Sequence, residues 1–217
     1  MFEYETHTLL IWADGLLYRS LDEALAQSLQ ERGIEGVNLY AGPDYLYWRE
    51  QLTLGMIDKE IFFEDVSASM TSVPDADFGA LQEDVSALMT SVPDALFEAC
   101  MVKSDLIKRL VVDIPEDWFM QLPCCNEVME CFPPGSLIFL EKSGLPRLLP
   151  DVFYYLSCET GTPLEHCLLL DHDRRRPIWA LRHGMPADEI TNTMRLKREF
   201  LMRGLTDEDY CMHERPT

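Results

Sequence analysis

The sequence predicts an α/β protein, a Rossmann-like parallel sheet core with an inserted helical cap. Three observations carry that reading. Apolar runs of strand length alternate with stretches of helical periodicity, the order that builds a mainly parallel sheet covered on both faces. Two of the runs, Leu9-Leu10-Ile11-Trp12-Ala13-Asp14-Gly15 and Leu168-Leu169-Leu170-Asp171-His172-Asp173, break abruptly into acids. Buried parallel strands do this when they deliver side chains to the C-terminal edge of an open sheet. Roughly a hundred residues of helix and turn separate the first run from the next, far more than one crossover needs.

Taken in order, Thr8 to Ala13 is the first strand. Ser20 to Arg32 is helical, with Leu21, Leu25 and Leu29 recurring every four residues as an apolar stripe. From Ser20 to Cys100 the chain reads as a helical lobe joined twice to the sheet. This divides it into a core, residues 1–19 and 101–217, and a cap, residues 20–100. The cap carries a tandem duplication: residues 64–78 recur at 83–97, differing only at Leu88 and Leu96. Ser-Val-Pro-Asp in each copy is a helix stop followed by a restart, and neither copy holds a ligand constellation. Strands resume at Leu110-Val111-Val112, at Leu137 to Leu140 and at Cys167 to Leu170, with helices at Asp151 to Cys158 and Pro177 to His183. A fifth strand is expected after Met185, where Pro186-Ala187-Asp188-Glu189-Ile190 has little β character.

Composition narrows the function classes. The 217 residues are 47% apolar and 26% charged, enough for one substantial core with a small accessory lobe. A net charge of −20 repels nucleic acid and anionic membrane surfaces. No apolar run approaches the ~18 residues that span a bilayer, and Met1 to Glu5 lacks the features of a secretory signal, so a cytoplasmic protein is expected. Seven cysteines without a repeated spacing or a CxxC argue against a disulfide framework and a structural zinc site. All seven are expected to serve packing. The one basic cluster, Arg174-Arg175-Arg176, reads as a local anion contact or a solvated helix start.

Four segments follow one another in a single pattern. They are Trp48-Arg49-Glu50-Gln51-Leu52 through Glu60 in the helical lobe, Leu110-Val111-Val112-Asp113-Ile114-Pro115 through Phe119, Gly144-Leu145-Pro146-Arg147 through Phe153, and Asp171 leading on to Gly184-Met185. In this order and spacing the chain resembles the haloacid dehalogenase superfamily, in its branch with a helical cap after the first strand. The resemblance covers roughly Thr8 to Met185. It implies a haloacid dehalogenase-like fold and a reaction in which an aspartate attacks phosphorus or carbon to give a covalent aspartyl intermediate. With phosphate substrates, Mg²⁺ offsets the phosphoryl charge.

Carried over position by position, the resemblance places Trp12 where the nucleophile stands and Asp14 at the acid/base. Val112 takes the place of a phosphoryl-binding hydroxyl and Arg147 that of the basic residue. Asp171-His172 stand at the acidic pair, with Asp173 one residue on. Trp12 cannot attack, so covalent phosphatase chemistry is not expected. No metal site is expected either, beyond weak Mg²⁺ binding through Asp171. The expected pocket has an apolar floor of Trp12 and Val112, ringed by Asp14, Asp113, Arg147, Asp171 and Asp173. Such a pocket suits a small apolar organic molecule.

Burial beside Trp12 is expected to raise the pKa of Asp14. Asp14 would then serve as general acid, with His172 and Asp171 completing a catalytic set. Two readings stand. One is a repurposed non-hydrolytic enzyme, a cyclase, isomerase or lyase without a cofactor. The other is a pseudoenzyme that acts as a scaffold or regulatory partner, with the duplicated cap segment and the acidic stretch Thr206 to Tyr210 as contact surfaces; an apolar strip on the cap could support a homodimer. A residual Mg²⁺-dependent phosphatase is a third and weaker option.

Overall fold

The computed structural model describes residues 6–34, 39–40, 43–69, 78–147 and 149–206. Residues 70–77 of the first repeat copy, residues 207–210 of the acidic stretch, Cys211 and Met1 to Glu5 lie outside the described residues. Five parallel strands form one sheet in the order β3-β2-β1-β4-β5. They are β1 (Thr8–Trp12), β2 (Ile107–Val112), β3 (Leu137–Phe139), β4 (Cys167–Asp171) and β5 (Ala187–Glu189). Every residue of β1 and β4 is buried, as continuous apolar runs at the centre of a parallel sheet require.

The two-residue strand period sorts these side chains into two layers. Leu9, Ile11, Leu110, Val112, Leu168 and Leu170 face one core, while Leu10, Trp12, Val111 and Leu169 face the other. The second layer is closed by α8 (Asp151–Thr160) and α9 (Arg175–Arg182) through Val152, Phe153, Leu156 and Ala180.

The first layer is covered by the helices between β1 and β2: α1 (Leu21–Glu31), α2 (Pro43–Thr53), α3 (Lys59–Ser69), α4 (Phe78–Leu88) and α5 (Pro93–Cys100). Also on this side are α6 (Glu116–Phe119), α7 (Cys125–Cys131) and α10 (Thr193–Met202). The stripe Leu21, Leu25, Leu29 is buried in this core, as its spacing predicts. The Ser20 hydroxyl accepts the Glu23 N–H and caps α1, whose first turn carries Asp22 and Glu23. In the described part of the duplication, residues 64–69 and 83–88 are helical, the second copy breaks at 89–92 and restarts as α5, and Val66 of one copy and Val85 of the other are both buried. Ser86 accepts the Trp118 indole N–H at 3.1 Å, tying the second copy to α6.

The fifth strand expected after Met185 forms as β5, pairing Ala187 with Leu169 and Glu189 with Asp171. As a three-residue edge strand it is held by hydrogen bonds to β4 rather than by its own propensity. The expectation that all seven cysteines serve packing fails for Cys100 and Cys131, which form a disulfide across a Cα separation of 5.2 Å. They stand at the ends of α5 and α7, which pack together, an adjacency that cysteine spacing does not encode. Cys124, Cys125, Cys158 and Cys167 are free thiols. Among the described residues no helix is long and apolar enough to cross a membrane.

Candidate functional site

The strand ends behave as parallel-sheet geometry requires. After β1 the chain turns sharply through Asp14 and Gly15. Gly15 has φ +78°, and a Cβ there would lie 2.9 Å from the His172 ring. Only glycine meets both demands, so this turn seats the loop after β4 against the loop after β1. Asp14 points to the start of α1, where its Oδ1 accepts the Leu21 N–H at 3.0 Å. The positive end of a helix favours a carboxylate there.

Asp113, directly after β2, is fully buried. Its Oδ2 lies 3.3 Å from both Arg49 Nη2 and Arg147 Nη1, and 3.8 Å from Arg176 Nη1. Arg49 comes from α2 and is itself 2% exposed. Its Nη1 donates to the Asp113 carbonyl at 2.9 Å and to the Thr53 hydroxyl at 3.1 Å. The same guanidinium lies 3.7 Å from Asp14 Oδ2 and from Asp22 Oδ1. The Asp22 carboxylate also accepts the hydroxyls of Tyr40 and Tyr45. Arg49 therefore joins the inserted helices to the sheet edge through a set of buried charges.

At the end of β4, Asp171 is fully buried and its carboxylate is clasped by Arg176. Arg176 Nη2 donates to Oδ1 at 2.9 Å and Nε donates to Oδ2. The Asp173 N–H donates to Oδ1 of Asp171 at 2.8 Å. The Arg176 guanidinium lies over the Trp12 ring, 4.2 Å from its centroid. Asp173 is held by a two-pronged contact with Arg175, whose Nε lies 3.0 Å from Oδ1 and whose Nη2 lies 2.7 Å from Oδ2.

The electrostatics follow from burial first. Burial drives Asp14 up to about 6, reinforced by the charge of Asp113 and opposed by Arg49 and Arg147. Asp113 is buried equally, but Arg49, Arg147 and Arg176 overcome that penalty and hold it down to about 2. Asp171 is raised by burial, with Arg176 pulling the other way. Burial also acts on Asp22, yet Arg147, Arg49 and the two tyrosine hydroxyls lower it overall. Asp14, raised to about 6, comes within reach of titrating near neutrality.

A cavity of about 680 Å³ opens outside this cluster, a volume suited to a small organic molecule. Of the residues expected at the site, Asp14, Arg147, His172 and Asp173 line it. Trp12, Val112, Asp113 and Asp171 do not, and each is 0% exposed. The apolar floor expected from Trp12 and Val112 is therefore corrected. The strand pleat sends their side chains into opposite core layers, and the cavity is lined by charged residues together with Ala26, Leu39 and Tyr40. Arg176 corrects the reading of its cluster as an anion contact or a solvated helix start: it is 2% exposed and paired internally. Neighbouring Arg174 lines the cavity, and its side chain has no ion pair or hydrogen bond among the described residues.

Arg49, Asp22, Tyr40 and Tyr45 also belong to this cluster and were not singled out as site residues. Arg49 lay inside the quoted segment Trp48 to Glu60, but spacing alone does not bring an α2 side chain to the strand ends.

The Mg²⁺ implied by the resemblance does not fit these residues as they stand. Mg²⁺ requires near-octahedral oxygen ligands. Here Trp12 offers no oxygen, both Asp171 oxygens face Arg176, and Asp113 faces three guanidinium groups. No group of three or more His, Cys, Asp or Glu suited to a metal occurs among the described residues.

No family model matches the sequence, and no curated protein matches it. Solved structures do match the fold. The L-2-haloacid dehalogenase of Xanthobacter autotrophicus with chloropropionic acid covalently bound aligns over 93% of this chain and 85% of its own, with a TM-score of 0.60 at 16% identity. A haloacid dehalogenase family enzyme of Bacteroides thetaiotaomicron, in complex with magnesium and inorganic phosphate, aligns over 85% of this chain and 93% of its own, with a TM-score of 0.65 at 12% identity. The chain has the haloacid dehalogenase-like fold.

Proposed function

We propose that this chain is a haloacid dehalogenase-like protein that binds a small polar organic molecule without covalent catalysis, with residues 20–100 as its cap. The observation that carries the reading is the pairing of Trp12 with Arg176. At the position where a carboxylate nucleophile is expected stands an indole, and a guanidinium covers its face at 4.2 Å. Neither group can attack a carbon or phosphorus centre, so an aspartyl intermediate has no residue to form on.

The neighbouring carboxylates are neutralised from within by Arg49, Arg147 and Arg176. What remains to recognise a ligand is the outer wall of the cavity, where Arg174 and His172 have no hydrogen-bond or ion-pair partner among the described residues. An anionic group on the ligand suits that wall. Ala26, Leu39 and Tyr40 line the same cavity and suit an apolar part of that ligand.

A second reading has its own support. Asp14 lines the cavity and is raised to about 6, which suits a general acid near neutrality. His172 lines the same cavity as its partner base. On this reading the protein isomerises, cyclises or eliminates rather than hydrolyses.

The test uses the full chain. Small molecules retained on purification are identified by mass spectrometry for the wild type, Arg174→Ala and Asp14→Asn. The same proteins are offered phosphate monoesters and 2-haloacids with and without Mg²⁺. The binding reading expects an anionic molecule retained by the wild type, depleted by Arg174→Ala and chemically unchanged. Conversion of that molecule by the wild type and not by Asp14→Asn selects the second reading. Release of phosphate or halide by the wild type overturns both.

A further inference from the structure

The charges that the chain leaves uncompensated on the cavity wall are of both signs. Arg147, Arg175 and Arg176 line the cavity but pair with carboxylates of the chain, and Asp14, Asp22 and Asp173 pair with its guanidinium groups. Three other lining residues have side chains with no hydrogen bond or ion pair among the described residues. They are Arg174, immediately before α9, Glu23 in the first turn of α1, and Glu189 at the end of β5.

A ligand that carried negative charge alone would satisfy Arg174 and face two uncompensated carboxylates in the same cavity. Clefts focus the field of their charges, so such like-charge encounters are costly. A ligand with a cationic group as well turns both carboxylates into partners. An ammonium has three N–H donors to place, and Thr191, two residues beyond Glu189, brings a hydroxyl acceptor to the same lining.

The remaining wall suits an apolar group. Ala26, Leu39 and Tyr40 supply it. The Tyr40 hydroxyl donates to the Asp22 carboxylate, and the Arg175 guanidinium lies 5.8 Å from the centre of its ring. The ring is thus held in place before any ligand arrives, which lowers the cost of packing a side chain against it.

We infer that the ligand of this cavity is a zwitterion, an amino acid with an apolar side chain. Its carboxylate is compensated by Arg174 and its ammonium by Glu23 and Glu189, and its side chain packs on Leu39 and Tyr40. The inference rests on the anion-binding reading above and adds to it the ammonium, the carboxylates that select it and the class of molecule.

The experiment is isothermal titration calorimetry of the full chain with two families of probes. L-phenylalanine is compared with phenylpropionate, which lacks the ammonium, and phenethylamine, which lacks the carboxylate. L-leucine is compared with isocaproate and isoamylamine in the same way. At least one amino acid is expected to bind, with its two counterparts weaker by about ten-fold or more, the loss of one charge-assisted hydrogen bond. The double variant Glu23→Gln/Glu189→Gln should weaken the amino acid by a similar factor while the deaminated acid binds as well as before or better. Arg174→Ala should weaken the amino acid and the acid but not the amine. Opposite responses of acid and amino acid to one variant cannot come from a loosened fold. A deaminated acid that binds the wild type as tightly as its amino acid overturns the inference and leaves the anion-binding reading standing. A double variant that binds the amino acid as the wild type does has the same consequence. If neither amino acid binds, the inference is overturned, and binding of the two acids then decides the reading on which it rests.

Discussion

Asp14 makes the stability of this protein depend on pH in a direction opposite to that of most acidic side chains. Its pKa in the folded chain is about 6 against an ordinary value of 3.8. A carboxyl raised by folding binds more protons in the native state than in the unfolded state between those two values. Stability therefore falls as pH rises through the interval. The difference, converted at about 1.4 kcal/mol per pH unit, is about 3 kcal/mol. That stabilisation is fully present below pH 3.8 and lost once the native carboxyl ionises near pH 6.

Asp14→Asn isolates the effect, because the amide keeps an Oδ1 acceptor for the Leu21 N–H but cannot ionise. Urea unfolding of both proteins at a series of pH values from about 4 to 8 gives the difference in stability directly. It is expected to be small at the acid end, with Asn gaining on Asp as pH rises, until Asn is the more stable by about 3 kcal/mol above pH 7. Asp171 and Glu50 are raised too and add a slope of the same sign. They are present in both proteins and cancel. Asp113, held down to about 2, contributes stability above its ordinary pKa and loses it only in stronger acid, outside the window. A difference that is flat with pH, or a wild type that gains on the variant as pH rises, would refute the reasoning. It would mean that Arg49 and Arg147 outweigh burial at Asp14.

Three further outcomes are expected. Arg49→Met leaves Asp113 and Asp14 short of a buried partner and should cost about 3–5 kcal/mol in chemical denaturation. A loss under about 1 kcal/mol would show that Arg147 and Arg176 suffice to hold the cluster. Gly15→Ala combines an unfavourable positive φ with a Cβ 2.9 Å from the His172 ring and should cost about 1–2 kcal/mol; an unchanged melting temperature would show that the turn relaxes freely. Cys100→Ser opens a loop closed across 31 residues and should lower stability by about 3–4 kcal/mol under non-reducing conditions. Reductant should bring the wild type to the same value and leave the variant unmoved.

What the sequence made legible was whatever a single element carries. The apolar runs at Leu9 to Trp12 and Leu168 to Leu170 are buried strands because nothing else buries such runs on both faces. The leucine stripe of α1 needs no partner to be recognised. Asp14, Arg147, His172 and Asp173 came together because strand ends and the loops after them meet at one sheet edge. What was not legible depends on meeting in space. Arg49 reaches the sheet from a helix between β1 and β2, and its partners lie 35 residues back and 64 residues on, at Asp14 and Asp113. Cys100 finds Cys131 only because α5 lies on α7. Arg176 stood in a run of three arginines whose individual fates, buried, paired at the surface or unpartnered, follow from the turn of α9 rather than from composition.

The way the charges are compensated constrains what any ligand can gain from this centre. Carboxylates left without internal partners at a sheet edge hold their electrostatic energy in reserve, to be released when a metal and an anionic substrate arrive together. Here that energy is already released within the chain, through Arg49, Arg147 and Arg176. A ligand that displaced any of these arginines would have to compensate a fully buried carboxylate in its place. Binding free energy must therefore come from groups that the fold leaves unpaired, and on the cavity wall those include Arg174 and His172. Arg174→Ala should thus weaken a bound anion while leaving the melting temperature of the unliganded chain unchanged. Asp171→Asn should lower that melting temperature, and affect binding only as far as it loosens the fold. If Asp171→Asn instead weakened binding in a protein of undiminished stability, the buried cluster would be part of the ligand site after all, and its arginines would be open to exchange.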